Sequence, residues 1–213
     1  MNNYSTIGFG GFSAFPPVIK NLLIINLLAF LAMFLADSQL LRWFALWPLR
    51  ADFFLIHQII TYSFLHGGLS HIFFNMFALW MFGMQLENTW GSRRFLIYYF
   101  SCVVGAALVQ LIATFLTNQV YPTVGASGGV FGILLAFGMM FPDREIMLLF
   151  PPIPIKAKYF VIGYGVIELF FATSGLQPGV ANLAHLGGMV SGIFLILYWR
   201  GKLPIKPKYT SYY

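Results

Sequence analysis

Six apolar runs, separated by short polar stretches, decide what this chain can fold into. They cover about residues 18–36, 69–89, 94–116, 127–141, 157–174 and 182–199. A helix rises ~1.5 Å per residue and a bilayer's hydrocarbon core is ~30 Å thick, so about 20 apolar residues suffice to cross it. The predicted class is therefore all-α, a polytopic membrane protein with six transmembrane helices. Composition supports this: of 213 residues 59% are hydrophobic and only 8% are charged, where a soluble domain carries charge at about 25% of positions. So few charges cannot coat a water-facing surface, and most of the surface must meet lipid. Three regions are expected: a short cytoplasmic tail (1–17), one membrane domain (18–200) and a basic cytoplasmic tail (201–213). The first residues lack a basic leader and a cleavage pattern, so the first helix reads as an uncleaved anchor.

The fourth run is short, bounded by Gly125 and Pro142. About 15 helical residues reach only ~22 Å. One end must start inside the membrane, entered by the non-helical stretch NQVYPTVGA, and such backbone is tolerated only where protein or water covers it. That predicts a cavity at the start of a short central helix.

Charge sets the orientation. Arg93 and Arg94, then Arg144, Lys156 and Lys158, then Arg200, Lys202, Lys206 and Lys208 fall in alternate connections, while residues 117–126 and 175–181 hold no Lys or Arg. The positive-inside rule puts both termini in the cytoplasm, with the chain in the cell (inner) membrane. The net charge of +6 is thereby used up by topology, and no nucleic-acid partner is expected. The first loop (37–68) balances Arg42 and Arg50 with Asp37 and Asp52, and its Trp43, Trp47, Phe53 and Phe54 suit the membrane interface. Cys102 stands alone in an apolar run and reads as a small buried residue. No spacing of His, Cys or acids suggests a metal, and no cofactor is expected.

Ionisable and polar side chains inside spans are costly and tend to mark function. Those of interest are His71, Asn75, Ser127, Glu168 and His185. Runs two, four and six cross in the same direction, and His71, Asn75, Ser127 and His185 all lie near their starts. Topology alone thus gathers four polar residues at the outer leaflet. Gly128 and Gly132 on run four, with Gly188 and Gly192 on run six, let two helix backbones approach closely. If those faces meet, His185 can take the proton of Ser127 as a general base, although the glycines equally suit plain helix packing. His71 and Asn75, spaced i, i+4, share a helix face and carry donors suited to an oxyanion, as do the backbone N–H groups near Gly128 at a helix N-terminus. Both could instead bridge helices. Asp143, Glu145 and Glu87 fall toward the inner side, so a dyad without an acid is expected unless Glu168 or a first-loop aspartate reaches in. Glu168 reads as a neutral, hydrogen-bonded carboxyl between helices, with Glu168→Gln altering the rate only modestly.

Three stretches in order, HGGLSHIFFN (66–75), GASGGVFG (125–132) and AHLGGMVSG (184–192), resemble the rhomboid family of intramembrane serine proteases in its compact six-helix bacterial form. The resemblance implies Ser127 as nucleophile, His185 as base, His71 and Asn75 in the oxyanion hole, and peptide hydrolysis through an acyl-enzyme. It implies substrates that are membrane proteins with an unwindable transmembrane segment, entering between runs two and five, with the third and fifth loops flanking the site. His66 matches an upstream histidine of the family and reads as structural, and Glu87 as a helix-end anchor. Phe131 stands where some bacterial members carry a tyrosine that stacks on the catalytic imidazole; it keeps the ring and loses the hydroxyl. His57-Gln58 departs from the family's usual Trp-Gln or Trp-Arg, which touches the anchoring of the first loop. The rival readings are a rhomboid-like factor that binds membrane proteins without cutting them and, further off, a small transporter, which internal repeats would favour. Neither substrate identity nor oligomeric state is written in these residues.

Overall fold

The computed structural model describes residues 15–148, 151–174, 176 and 181–205. Most of the expected N-terminal tail, most of the loop 175–181, and Lys206 and Lys208 lie outside them. Among the described residues seven α-helices follow in order: α1 (Pro17–Phe44), α2 (Gln58–Thr61), α3 (Leu69–Trp90), α4 (Ser92–Thr117), α5 (Ser127–Met140), α6 (Ala157–Ser174) and α7 (Asn182–Trp199). A 3₁₀ turn at Tyr62–Phe64 follows α2. Each of the six apolar runs coincides with a helix. Four of them, α1, α3, α4 and α7, are long and apolar enough to cross a membrane, and α5 is a shorter apolar helix of 14 residues.

Two departures from expectation stand out. α1 does not stop at residue 36. Ala36 leaves helical geometry (φ −149°, ψ 43°), and the chain then resumes its helix to Phe44. The apolar run ended there because polar residues follow, yet Leu40, Leu41, Trp43 and Phe44 supply enough apolar surface for another two turns. The second departure is a small antiparallel hairpin, β1 (Glu145–Met147) paired with β2 (Pro154–Lys156), between α5 and α6. Asp143 closes its base with Lys158 at 2.7 Å and Lys156 at 3.6 Å, and the hydrogen bond from Lys158 holds the Asp143 carboxyl below its usual range.

α5 is the axis of the bundle. Residues 128–138 of this helix are all buried, with α3, α4, α6 and α7 packed around it. It has almost no polar face because every side meets protein. Small residues set the separations. A β-carbon on Gly188 would fall 2.0 Å from the carbonyl oxygen of Gly128, so α7 and α5 touch backbone to backbone there. Gly132 also faces this seam, its β-carbon position 3.4 Å from the Gly188 carbonyl oxygen, and Gly132 and Gly192 both open toward α4. Gly132 makes room for Cys102 and Gly192 for the Tyr98 hydroxyl, both on α4. Tyr98 uses that room to donate a 2.8 Å hydrogen bond to the Gly132 carbonyl, and Cys102 is buried and free.

The first loop is held by Gln58, which is fully buried. Its amide donates to Phe53 O (2.8 Å) and its Oε1 accepts from the N–H groups of Trp47 (3.3 Å) and Leu55 (3.2 Å). Gln58 therefore supplies the anchor that the His57-Gln58 departure left open, with His57 bonded to Trp43 O at 2.8 Å. Arg42 lies over Phe53, and Arg50 lies over Phe115 and donates to the Asn118 side chain.

Candidate active site

The stretch before α5 is extended, and its backbone polar groups are paired with the first loop. Leu46 and Thr123 exchange hydrogen bonds of 3.0 and 2.9 Å, and Gly125 N–H donates to Tyr62 O at 3.0 Å. A chain entering an apolar bundle needs such partners. Gly125 adopts φ +128°, and a β-carbon there would lie 2.7 Å from His71 Nε2 and 3.5 Å from Ser127 Oγ. Only glycine lets the loop pass between those two side chains.

The loop delivers Ser127 as the first residue of α5, and no side chain caps that helix N-terminus. The Ser127 hydroxyl instead lies 2.8 Å from His185 Nε2 on α7. The glycine contact at Gly128 and Gly188 explains the closeness, since both lie within one turn of the two reactive side chains. Phe131 stacks on the His185 ring, centroids 4.4 Å apart and planes 9° from parallel. The imidazole is thus fixed on one face by an aromatic ring and at one edge by the serine.

Its other edge meets an acid. His185 Nδ1 lies 2.9 Å from Glu168 Oε2, and Asn182 Nδ2 donates to the same oxygen at 2.8 Å. Glu168 and His185 are each 8% exposed. A carboxylate has only acceptors, so the Nδ1 proton belongs to the imidazole, and Nε2 is left to accept from Ser127. The expectation of a serine and histidine without an acid is corrected here: Glu168 reaches in from α6. The one available signal was that Glu168 is an ionisable residue in the outer half of an apolar run, where a buried partner is required.

His71 and Asn75 face the same cavity as Ser127 and His185. His71 Nδ1 accepts from Gly67 N–H at 3.3 Å, which leaves Nε2 as the protonated nitrogen, on the side of Gly125 and Ser127. Asn75 spends one amide hydrogen on His71 O at 2.8 Å. His66 is 1% exposed and edge-on to His71, ring centroids 5.0 Å apart; burial pushes its pKa down to about 4. The Gly128 N–H lies in the first turn of α5, where no intrahelical carbonyl is available to it.

The cavity is about 1230 Å³ and runs from Ser127 to Ile146 and Ile155 on the hairpin. α3 lines it with Phe74 and Ala78, and α6 with Phe160, Tyr164 and Ile167. Among the described residues, no three His, Cys, Asp or Glu side chains gather to hold a metal ion.

Residues 55–202 match the family model described as "Rhomboid domain". Among curated proteins, the chain is 32% identical over 140 residues to "Rhomboid protease GluP" of Bacillus subtilis (strain 168), covering 64% of this chain and 25% of that protein. It is 33% identical over 139 residues to "Rhomboid protein 1, mitochondrial" of Saccharomyces cerevisiae, covering 64% of this chain and 40% of that protein. It is 26% identical over 178 residues to "Presenilin-associated rhomboid-like protein, mitochondrial" of Homo sapiens, covering 79% of this chain and 45% of that protein. The chain spans from a quarter to less than half of the length of these relatives. The matched domain and the apolar helices make this a multi-pass membrane protein. The chain belongs to the rhomboid family.

Proposed function

We propose that this protein is an intramembrane serine endopeptidase. The observation that carries the reading is the 2.8 Å approach of Ser127 Oγ to His185 Nε2 inside an otherwise apolar bundle. Polar and ionisable side chains paired on a cavity wall within membrane helices are costly to place there and tend to mark function. Ser127 attacks the scissile carbonyl while His185 Nε2 takes the hydroxyl proton, giving a tetrahedral intermediate and then an acyl-enzyme. The same proton passes from Nε2 to the leaving amine. Water, deprotonated by His185, then releases the acyl group. His71 Nε2–H, the free Asn75 amide hydrogen and the Gly128 N–H stabilise the oxyanion. Phe131 keeps the imidazole in plane through both transfers.

The helices cross six times, with α6 and the short α5 completing the set begun by the four longer ones. The chain divides into a tail (1–17), a membrane domain (18–200) and a basic tail (201–213), with both termini cytoplasmic and the site opening to the outer side of the inner membrane. Substrates are membrane proteins whose transmembrane helix unwinds near its outer end and enters between α3 and α6. A Rhomboid protease among the relatives supports hydrolysis, and the apolar walls of the cavity support a segment drawn from lipid. Labelling with a serine-reactive fluorophosphonate in detergent tests the reading. The native protein is expected to label and Ser127→Ala to remain unlabelled; equal labelling of the two, or of neither, would remove its main support.

A further inference from the structure

Glu168 is the acid that the serine and histidine were not expected to have. Its Oε2 accepts from two side chains at once, His185 Nδ1 at 2.9 Å and Asn182 Nδ2 at 2.8 Å. Asn182 opens α7 and His185 follows three residues later, so both project from one face of the first turn toward α6. This bracket fixes the carboxylate oxygen from two sides, and the carboxylate fixes the imidazole in turn. The opposite ring edge holds Ser127 and one ring face rests on Phe131. Both nitrogen edges of the His185 ring and one of its faces are thereby held by named contacts.

We infer that Glu168 is a positioning residue for His185 and, with Ser127, completes a serine–histidine–glutamate relay in which Asn182 orients the carboxylate. The inference rests on the proteolytic reading proposed above. Glu168 keeps the proton on Nδ1, which leaves the Nε2 lone pair facing Ser127. When Nε2 gains the serine proton, the ring carries a positive charge beside a carboxylate in a water-poor site, where that attraction is strong. The Nδ1 proton stays between His185 and Glu168 throughout; only the Nε2 proton moves, first from the hydroxyl and then to the leaving amine. Because one oxygen serves both donors, Glu168→Gln can present its carbonyl oxygen at the same place. That variant keeps the tautomer and loses the charge, whereas Glu168→Leu loses both.

Two readouts on the full chain in detergent decide the matter. Histidine ¹⁵N spectra, assigned with His185→Ala, are expected to show His185 protonated at Nδ1 in the native protein and in Glu168→Gln. Glu168→Leu should lose that signature. Hydrolysis of a single-span substrate should fall in kcat by about 10-fold for Glu168→Gln and about 10²–10⁴-fold for Glu168→Leu, with KM within about twofold. A purely structural role would lower the thermal midpoint without splitting kcat from KM. The inference is overturned by a Glu168→Leu protein of native stability that keeps its kcat within about threefold, or its Nδ1–H signature. Should that variant not fold, Glu168→Gln at native kcat overturns it. Native hydrolysis by Ser127→Ala would sink the proteolytic reading instead, while the spectra would still report whether Glu168 sets the state of His185.

Discussion

Glu87 and Glu168 are both buried carboxylates, at opposite ends of the bundle, and they are used in different ways. Glu87 accepts from the backbone N–H groups of Val18 (3.0 Å) and Ile19 (2.9 Å) at the start of α1, and from the Ser92 hydroxyl (2.7 Å) at the start of α4. Its charge sits against helix N-termini and satisfies groups that a helix leaves orphaned. Every partner belongs to the framework. Glu168 accepts from two side chains, one of which is bonded to Ser127. The same chemical group is a joint at one end and part of the proposed machinery at the other. What separates the two roles is whether the donors are groups at helix starts or a side chain that itself holds a reactive atom.

Substitutions can break that contrast. The largest effect is expected at Gly188, whose added β-carbon would press on the Gly128 carbonyl. Gly188→Ala should push α7 from α5 and lower the fluorophosphonate labelling rate by about 10²-fold, since small misplacements of reacting groups are costly. Next comes Glu87→Ala, which strips three donors of their acceptor. It should cost about 3 kcal/mol of stability yet leave the labelling rate of the folded fraction unchanged, as thermal unfolding and labelling measured together would show. A loss of labelling without a loss of stability would make Glu87 more than a joint.

The last effect unfolds gradually, with pH. His66 has its folded pKa depressed from 6.5 to about 4 by burial, so the unfolded chain binds its proton first as the solution acidifies. Its contribution is complete above pH 6.5 and is lost as pH falls toward 4, at most about 3 kcal/mol. Thermal midpoints in detergent should drop across that window, and His66→Leu should flatten the drop. An unchanged slope in the variant would assign the acid sensitivity to other groups.

Much of this was legible in the residues, for physical reasons that differ along the chain. The six helices follow from apolar runs alone, and the short α5 with its extended approach follows from Gly125 and Pro142. The gathering of His71, Asn75, Ser127 and His185 at one end follows from alternating crossings. What linear pattern does not encode is the rotation of each helix about its axis. Glu168 could be placed at a depth but not on a face, so its bond to His185 stayed hidden. The same ignorance left open that Gly132 and Gly192 would also accommodate side chains of α4. The hairpin at Glu145–Lys156 was missed because three-residue strands leave almost no alternation to read.

The central claim is that Ser127 and His185 cut peptide bonds within a membrane. Its most direct test is reconstitution of the full chain into liposomes with a single-span substrate, followed by mass mapping of the fragments. Cleavage near the outer end of the substrate's transmembrane segment by the native protein, abolished in both Ser127→Ala and His185→Ala, is the predicted result. Intact substrate with the native protein, or the same fragments from the Ser127→Ala protein, would contradict it.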